Sequence, residues 1–428
     1  MHILYNIFIH TYYLVIRVAS VFDKKAALWL KGREKGLDKI ALELDHESEH
    51  VWFHCASLGE FEQGRPVLER FKADNPHAKI VLTFFSPSGY EIRKNYPLAD
   101  HVFYMPLDTP ANAARFVEYV NPRVAIFVKY EYWYNHMKVL YGRNIPIVFI
   151  SAIYHKKFLF FKWWGGWFRK QLKKVTYFFV QDKNTQNLLY SIGIHNAVVS
   201  GDTRFDRVYD ISRKPTRYEQ VEKFIQGSVI FMAGSTWPAD ENILLPLINK
   251  KNTGDIKFIL VPHEINPPHI DQLMRSIEKP CVKYSVFDEE KFKNAEVLIV
   301  DRIGMLSSLY QYASLAYIGG GFGKGIHNVL EAATFGMPVI FGPNYKQFTE
   351  AIELTATGGG FPVTNKAELE KVFFSLLTNY ELLKESSDIA RSYVQLKRGA
   401  TNTISVFLNT LYNPGTFRAR ALDMLNMN

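Results

Sequence analysis

Beyond residue 45 the chain alternates short runs that are apolar almost throughout with longer stretches whose apolar residues recur at helical spacing. A first series comprises HVWFHCA (50–56), KIVLTFF (79–85), HVFYMP (101–106), VAIFVK (124–129), PIVFIS (146–151) and YFFVQD (177–182). A second comprises SVIFMAGS (228–235), KFILVP (257–262), VLIVDR (297–302), LAYIGGG (315–321) and PVIFGP (338–343). Runs this short and this continuously apolar predict strands buried on both faces, the texture of parallel sheets with helical crossovers. Residues 201–227, between the two series, are polar and charged and read as a domain junction. The pattern predicts an α/β chain of two tandem, doubly wound, Rossmann-like domains facing a cleft, with ligands at the carboxyl ends of the strands. The expected boundaries are 23–205 and 206–400, with a C-terminal helix over 401–428 that crosses back to the first domain.

The amino terminus departs from this texture. MHILYNIFIHTYYLVIRVASVF carries no charge over the 14 residues from Ile3 to Ile16, then Arg17, with Lys24 and Lys25 following. It lacks the basic start and small-residue cleavage site of a secretory signal, and 14 residues fall short of the ~20 that span a bilayer. Residues 1–22 therefore read as a helix that anchors in or lies on a membrane with its basic end cytoplasmic; the alternative is a buried N-terminal helix. YHKKFLFFKWWGGWFRKQLKK (154–174) mixes cations with aromatics. Lys156, Lys157, Trp163 and Trp164 suit a lipid interface. The same mixture suits stacking on single-stranded nucleic acid, or a helix with one buried aromatic face.

Composition adds little to the fold but narrows the partners. Hydrophobic residues make up 47% and charged residues 22%, as in ordinary folded proteins. The net charge of +9 points to an anionic partner, or simply to a basic enzyme. Two cysteines, Cys55 and Cys281, imply no disulfide framework and fit a reducing compartment. No H-E-x-x-H, Cys/His cluster or G-x-S-x-G is present, so no metal or serine-hydrolase chemistry is indicated.

The glycine-rich stretch GGGFGKGIHNVLEAATFGMPVIFGP (319–343) is the strongest chemical signal. It is no Walker A loop, because Gly325 follows Lys324 where Ser or Thr is required. It is no G-x-G-x-x-G fingerprint either, since the third glycine would fall on Lys324 or Ile326. Strand, glycine bend and a helix starting near His327 instead predict a phosphate held at a helix N-terminus, with Asn328 at the cap. Glu331, one turn further, can accept hydrogen bonds from a ribose diol; otherwise it merely complements the helix dipole.

This stretch resembles the donor-site signature of GT-B glycosyltransferases, and more narrowly that of bacterial Kdo (3-deoxy-D-manno-octulosonic acid) transferases, roughly G-G-H-N-x-x-E-P-A-x-x-G-x-P-V-x-x-G-P. Gly320, Gly321, His327, Asn328 and Glu331 match, and Ala332 stands in place of the proline. WFHCASLGEFEQGRPVLERFK (52–72) resembles the family's S-V-G-E segment, with Leu58 for Val. The resemblance makes Glu60 the catalytic base; from the residues alone it could equally be an ordinary acid at a helix start. FVKYEYWYN (127–135) resembles V-E-T-E-x-W-P-N. Glu131, Trp133 and Asn135 match, while Lys129, Tyr130 and Tyr134 depart. Glu131 is then a second carboxylate orienting a sugar, or else the ion-pair partner of Lys129.

Weaker likenesses complete the set. AGSTWPADE (233–241) resembles G-S-T-H-x-G-E-E with Trp237 for His, and makes Ser235 and Thr236 phosphate donors. VPHEI (261–265) lacks the arginine of P-R-H-x-E-R but leaves Pro262 and His263 at a cytosine pocket. SGDTRFD (200–206) resembles G-N-x-K-F-D and puts Arg204 at the donor. LWLKGREKGLDKI (28–40) resembles the basic tract after the anchor helix, where Arg33 and Lys35 meet acidic lipid.

The resemblance implies an inverting transferase that moves Kdo from CMP-Kdo to the acylated lipid A precursor, lipid IVA, in lipopolysaccharide synthesis. It would act at the cytoplasmic face of the inner membrane with no cofactor, no metal and no nucleic-acid partner. The competing expectations are a GT-B enzyme using a UDP-sugar and a basic nucleic-acid-binding protein.

Overall fold

The computed structural model describes residues 1–251 and 253–413. They form two compact units, one of Met1–Asp206 with the helix Ala400–Tyr412, the other of Arg207–Lys397.

The first unit opens with three helices, α1 (His2–Ala19), α2 (Lys24–Lys31) and α3 (Gly36–Glu43). Strand β1 (His50–Cys55) leads into α4 (Leu58–Asp74), followed by β2 (Lys79–Phe84), β3 (His101–Tyr104), β4 (Pro122–Val128), β5 (Ile147–Ala152), β6 (Tyr177–Val180) and β7 (Ala197–Val199). These strands build one seven-stranded sheet in the order β3-β2-β1-β4-β5-β6-β7, with every pairing parallel. Strand β1 shows why its sequence is apolar throughout. Val51, Phe53 and Cys55 enter a core that includes Phe61, Val67 and Phe71 of α4, whereas Trp52 points into the opposite core with Phe116 and Phe127. A strand covered on both sides has no polar face to show.

The second unit repeats the architecture with β8 (Val229–Thr236), β9 (Ile256–Pro262), β10 (Cys281–Lys283), β11 (Val297–Ile299), β12 (Leu315–Ile318), β13 (Val339–Phe341) and β14 (Gly360–Pro362). Its order is β10-β11-β9-β8-β12-β13-β14, again all parallel. The expected two doubly wound domains are thus present. Sequence pattern missed β7, β10 and β14, each of three residues and too short to show a period.

In each sheet the strand order reverses direction at the centre, between β1 and β4 in the first and between β8 and β12 in the second. Loops leaving the carboxyl ends of such a pair diverge to opposite faces and open a crevice for ligand. The helix Ala400–Tyr412 closes the first unit by packing Ile404 and Leu408 into the core beside α4. Its start is held by Asp206, whose carboxylate accepts from the Gly399 and Thr401 amides at 2.7 and 2.8 Å.

Candidate functional site

Two clusters of side chains stand at these two crevices. In the first unit, β1 ends at Cys55, Ser57 takes the N-cap position of α4, and Glu60 falls in the first helical turn. Its carboxylate turns back so that Oε2 accepts from the Ala56 amide at 2.5 Å, and only 7% of Glu60 is exposed. Across the crevice β4 ends at Val128, and the next residue, Lys129, takes a left-handed backbone at φ 64°. A non-glycine residue adopts that conformation only when its surroundings over-determine it, and here it brings a cation into the field of Glu60. Glu131 follows two residues later.

The two carboxyls sit in different environments. Burial raises Glu60 above the usual carboxylate range, while the Ala56 amide and the Lys129 charge pull it back. Burial and the Glu60 charge push Glu131 up to about 8, against only the Trp133 indole. An amide and a cation thus favour the charged form of Glu60, whereas burial and the Glu60 charge favour the protonated form of Glu131, a division that suits a base beside an orienting acid. Behind them runs a chain of hydrogen bonds from the half-buried Trp133 into the core. Trp133 Nε1 donates to His54 Nε2 at 3.0 Å, and His54 Nδ1 lies 2.8 Å from Thr83 Oγ1, which also accepts from Trp52 Nε1. Because an indole can only donate, His54 is neutral with its proton on Nδ1, and burial holds its pKa well below normal.

In the second unit the loops after β8 and β12 meet. Asp240, fully buried at the start of the helix Pro238–Ile248, accepts from the Trp237 amide (2.9 Å), the Gly320 amide (2.8 Å) and the Tyr317 hydroxyl (2.9 Å). One carboxylate thus ties the end of β8 to the glycine loop. The glycines allow backbone to approach backbone. A Cβ on Gly321 would lie 2.5 Å from the Gly342 nitrogen, and Gly320 has φ +90°. Beyond the loop, Trp237 Nε1 donates to His327 Nε2 at 2.9 Å, and His263 stacks on both rings at 4.6 and 4.5 Å. Asn328 Nδ2 donates to Glu331 Oε1 at 3.1 Å, so the amide sets the direction of that carboxylate.

With this geometry in view, residues 31–207 match the family described as 3-deoxy-D-manno-octulosonic-acid transferase. A 3-deoxy-D-manno-octulosonic acid transferase of Aquifex aeolicus is 29% identical over 359 residues, covering 81% of this chain and 92% of that protein. One from Chlamydophila psittaci is 27% identical over 343 residues, covering 77% and 78%. Over these residues the chain is similar to the Kdo transferase family. Among solved structures, MurG of Acinetobacter baumannii superposes with a TM-score of 0.55 at 13% identity, covering 85% of this chain and all of that one. UDP-GlcNAc 2-epimerase of Neisseria meningitidis superposes with a TM-score of 0.58 at 16% identity, covering 85% and 100%. These likenesses establish the shared two-domain α/β fold.

Several residues lie elsewhere than the sequence led us to expect. The helix after the glycine loop does not begin near His327: residues 327–329 are irregular and only Leu330–Ala333 is helical. Asn328 Oδ1 caps the Leu330 amide at 3.2 Å, so a single turn supplies little dipole for a phosphate. The Thr236 hydroxyl is buried and donates to Glu241 Oε1 at 3.0 Å, not to open space; Glu241 also meets His269. Ser235, with φ 54°, and Pro262 mark the ends of β8 and β9, while His263 is exposed. Arg204 belongs to the first unit and pairs with Asp202 at 2.7 Å.

Arg33 does not face lipid. Its guanidinium donates to the carbonyls of Trp29, Phe85 and Met105 at 3.1, 2.7 and 2.9 Å and lies over the Trp29 ring. Phe85 and Met105 follow β2 and β3, so Arg33 clamps the ends of two strands; burial lowers its pKa to about 9. Lys35 is exposed and, with Arg115 and His10, lines a cavity of about 470 Å³. In the 154–174 stretch the aromatic residues divide. Phe160 is buried, whereas Trp163 (90% exposed), Trp164, Lys156 and Lys157 project outward.

Asn135 of the FVKYEYWYN segment has a docking role that sequence did not reveal. It accepts from His2 Nε2 and donates to Asn6 Oδ1, both at 2.9 Å. Tyr5 donates to Asp108, which also receives the His136 ring. One face of α1 is thus pinned to the domain, while Ile3, Leu4, Ile7, Phe8, Leu14 and Val15 stay exposed. No helix among the described residues is long and apolar enough to cross a membrane. Nor does any group of three or more His, Cys, Asp and Glu side chains there assemble as a metal-binding cluster.

Proposed function

We propose that this chain transfers Kdo from CMP-Kdo, with inversion, to a sugar hydroxyl of the acylated lipid A precursor, lipid IVA, at the cytoplasmic face of the inner membrane. The observation that carries the reading is the Glu60–Glu131 pair at the crevice between β1 and β4, the first beside an amide and a cation that favour its charged form, the second in surroundings that favour its proton. Glu60 takes the hydroxyl proton as the acceptor oxygen bonds to the anomeric carbon; the bond from that carbon to the phosphate oxygen breaks and its electron pair leaves with CMP. Glu131, carrying a proton, orients the reacting sugar by hydrogen bond. In the second unit, the Gly320–Gly321 loop, His327, Asn328 and Glu331 hold the nucleotide, and donors already fixed in place meet the charge that develops on the leaving phosphate. This reading requires no metal or other cofactor, and no nucleic acid.

The acceptor's acyl chains bear on the remaining residues. The exposed apolar face of α1, with Trp163, Trp164, Lys156, Lys157 and Lys35, fits a bilayer surface of anionic lipid. The protein, incubated with CMP-Kdo and lipid A precursor in mixed micelles, is expected to yield a larger, more acidic glycolipid. Glu60→Gln is expected to lower turnover by about 10²–10⁴ without weakening CMP binding. Product formation by that variant at near wild-type rate refutes the base assignment, and product from a UDP-sugar but not CMP-Kdo refutes the donor.

A further inference from the structure

Trp237 and His327 form an unusual pair. Their ring planes lie within 9° of each other, yet their centroids are 6.5 Å apart and the indole nitrogen is 2.9 Å from His327 Nε2. The two rings are therefore side by side in one plane, joined edge to edge by a hydrogen bond, and are not stacked. His263 covers both rings, with planes tilted by 26° and 25°. The pair is held on both sides: the Trp237 amide is bonded to Asp240, and the His327 amide donates to the Gly319 carbonyl at 3.0 Å.

The chemistry of the bond fixes a proton. An indole N–H donates and cannot accept, so His327 Nε2 must present its lone pair, and a neutral imidazole then carries its proton on Nδ1. Burial and the neighbouring His263 ring favour the neutral form. Nδ1 has no hydrogen-bond partner among the described residues and is not sealed from solvent. A hydrogen bond to one ring nitrogen chooses the tautomer wherever an imidazole must present the other nitrogen to a ligand.

We propose that Trp237 is a positioning residue that holds His327 as its Nδ1–H tautomer, so that His327 donates this proton's hydrogen bond to a phosphate oxygen of the bound nucleotide. The proposal deepens the reading of this loop as the nucleotide site and rests on it. A residue able both to donate and to accept at position 237 would leave the tautomer open; tryptophan does not.

The test uses the full chain in detergent, with CMP and cytidine as probes. Trp237→Phe keeps an aromatic ring against His263 but removes the donor. Nitrogen-15 spectra of histidine-labelled protein, with His327 assigned through His327→Gln, should show one Nδ1–H tautomer in the wild type and a mixture in Trp237→Phe. CMP affinity should fall in Trp237→Phe by the factor to which the Nδ1–H tautomer is depleted in that mixture, about two- to tenfold, while cytidine affinity stays unchanged. In the His327→Gln background, the same Trp237→Phe change should cost nothing further, because its effect runs through the imidazole. A single unchanged tautomer in Trp237→Phe overturns the proposal. An equal CMP loss with and without His327, or an equal loss for cytidine, overturns it as well, the first by showing a structural role and the second a contact away from the phosphate. Failure of the wild type to bind CMP overturns the nucleotide-site reading and the ligand half of the proposal, whereas the ligand-free tautomer spectra separately decide what Trp237 does.

Discussion

Replacing Glu131 with glutamine should stabilise the protein, increasingly so as pH rises. The Glu131 carboxyl is held at about 8, against an ordinary value of 4.5, by burial and then by the charge of Glu60. Between those two values the folded chain keeps a proton that the unfolded chain has lost. Wild-type stability therefore falls with rising pH across this window, by about 1.4 kcal/mol per pH unit, and the fall ends above about 8. Glutamine has nearly the same shape and no proton to lose. Relative to wild type, Glu131→Gln should gain little at pH 5 and about 3 kcal/mol at pH 7. For a domain of this size ~3 kcal/mol corresponds to roughly 6–12 °C in melting temperature. The assay is thermal unfolding followed by tryptophan fluorescence, wild type and variant in parallel, at half-unit steps from pH 5 to 9. A melting-temperature difference that stays constant between pH 5 and 8 would refute the reasoning, since it would show that Glu131 ionises alike in folded and unfolded chains. The same variant should lose activity, a combination expected when a buried carboxyl is retained for chemistry at the expense of stability.

Two further outcomes follow from the same clusters. Lys129→Met removes the charge that draws Glu60 downward, so the Glu60 pKa should rise and the acidic limb of the kcat/KM profile should move to higher pH; activity should suffer more at pH 6 than at pH 8.5, and an unmoved limb counts against the pairing. Gly321→Ala places a Cβ 2.5 Å from the Gly342 backbone, whereas Gly323→Ala meets nothing closer than 3.5 Å. The first should lower stability by about 1–3 kcal/mol and weaken CMP binding, the second should do neither, and equal melting curves for the two would show that the loop does not need its backbone contact.

Much of the site was legible in short segments. The acid after β1, the acid after β4 and the glycine loop after β12 are each marked by an apolar run ending in polar, sharply turning sequence, and the fold brings them to the two points where strand order reverses. Other features were invisible. Nothing in STWPADE says that the Asp240 carboxylate reaches an amide 80 residues away. His54 lies inside an apolar strand, where only the partners Trp133 and Thr83, brought from two other segments, fix its proton. Arg33 read as a surface cation because its tract is basic. The carbonyls that consume its donors belong to the ends of β2 and β3, which no local pattern connects to it.

Local physics, then, settled most elements of this protein: short, continuously apolar runs bounded by turn residues form strands covered on both faces, and the glycines clustered after β12 form a tight loop. Whether a titratable or polar side chain faces solvent, a partner or a ligand depends on groups distant in sequence. Burial and opposing charge separated the two carboxyls of the first crevice, and a single indole N–H chose the proton of His327 in the second. Those decisions arise only after the chain is packed, because desolvation and hydrogen-bond geometry are properties of the assembled neighbourhood and not of the residue.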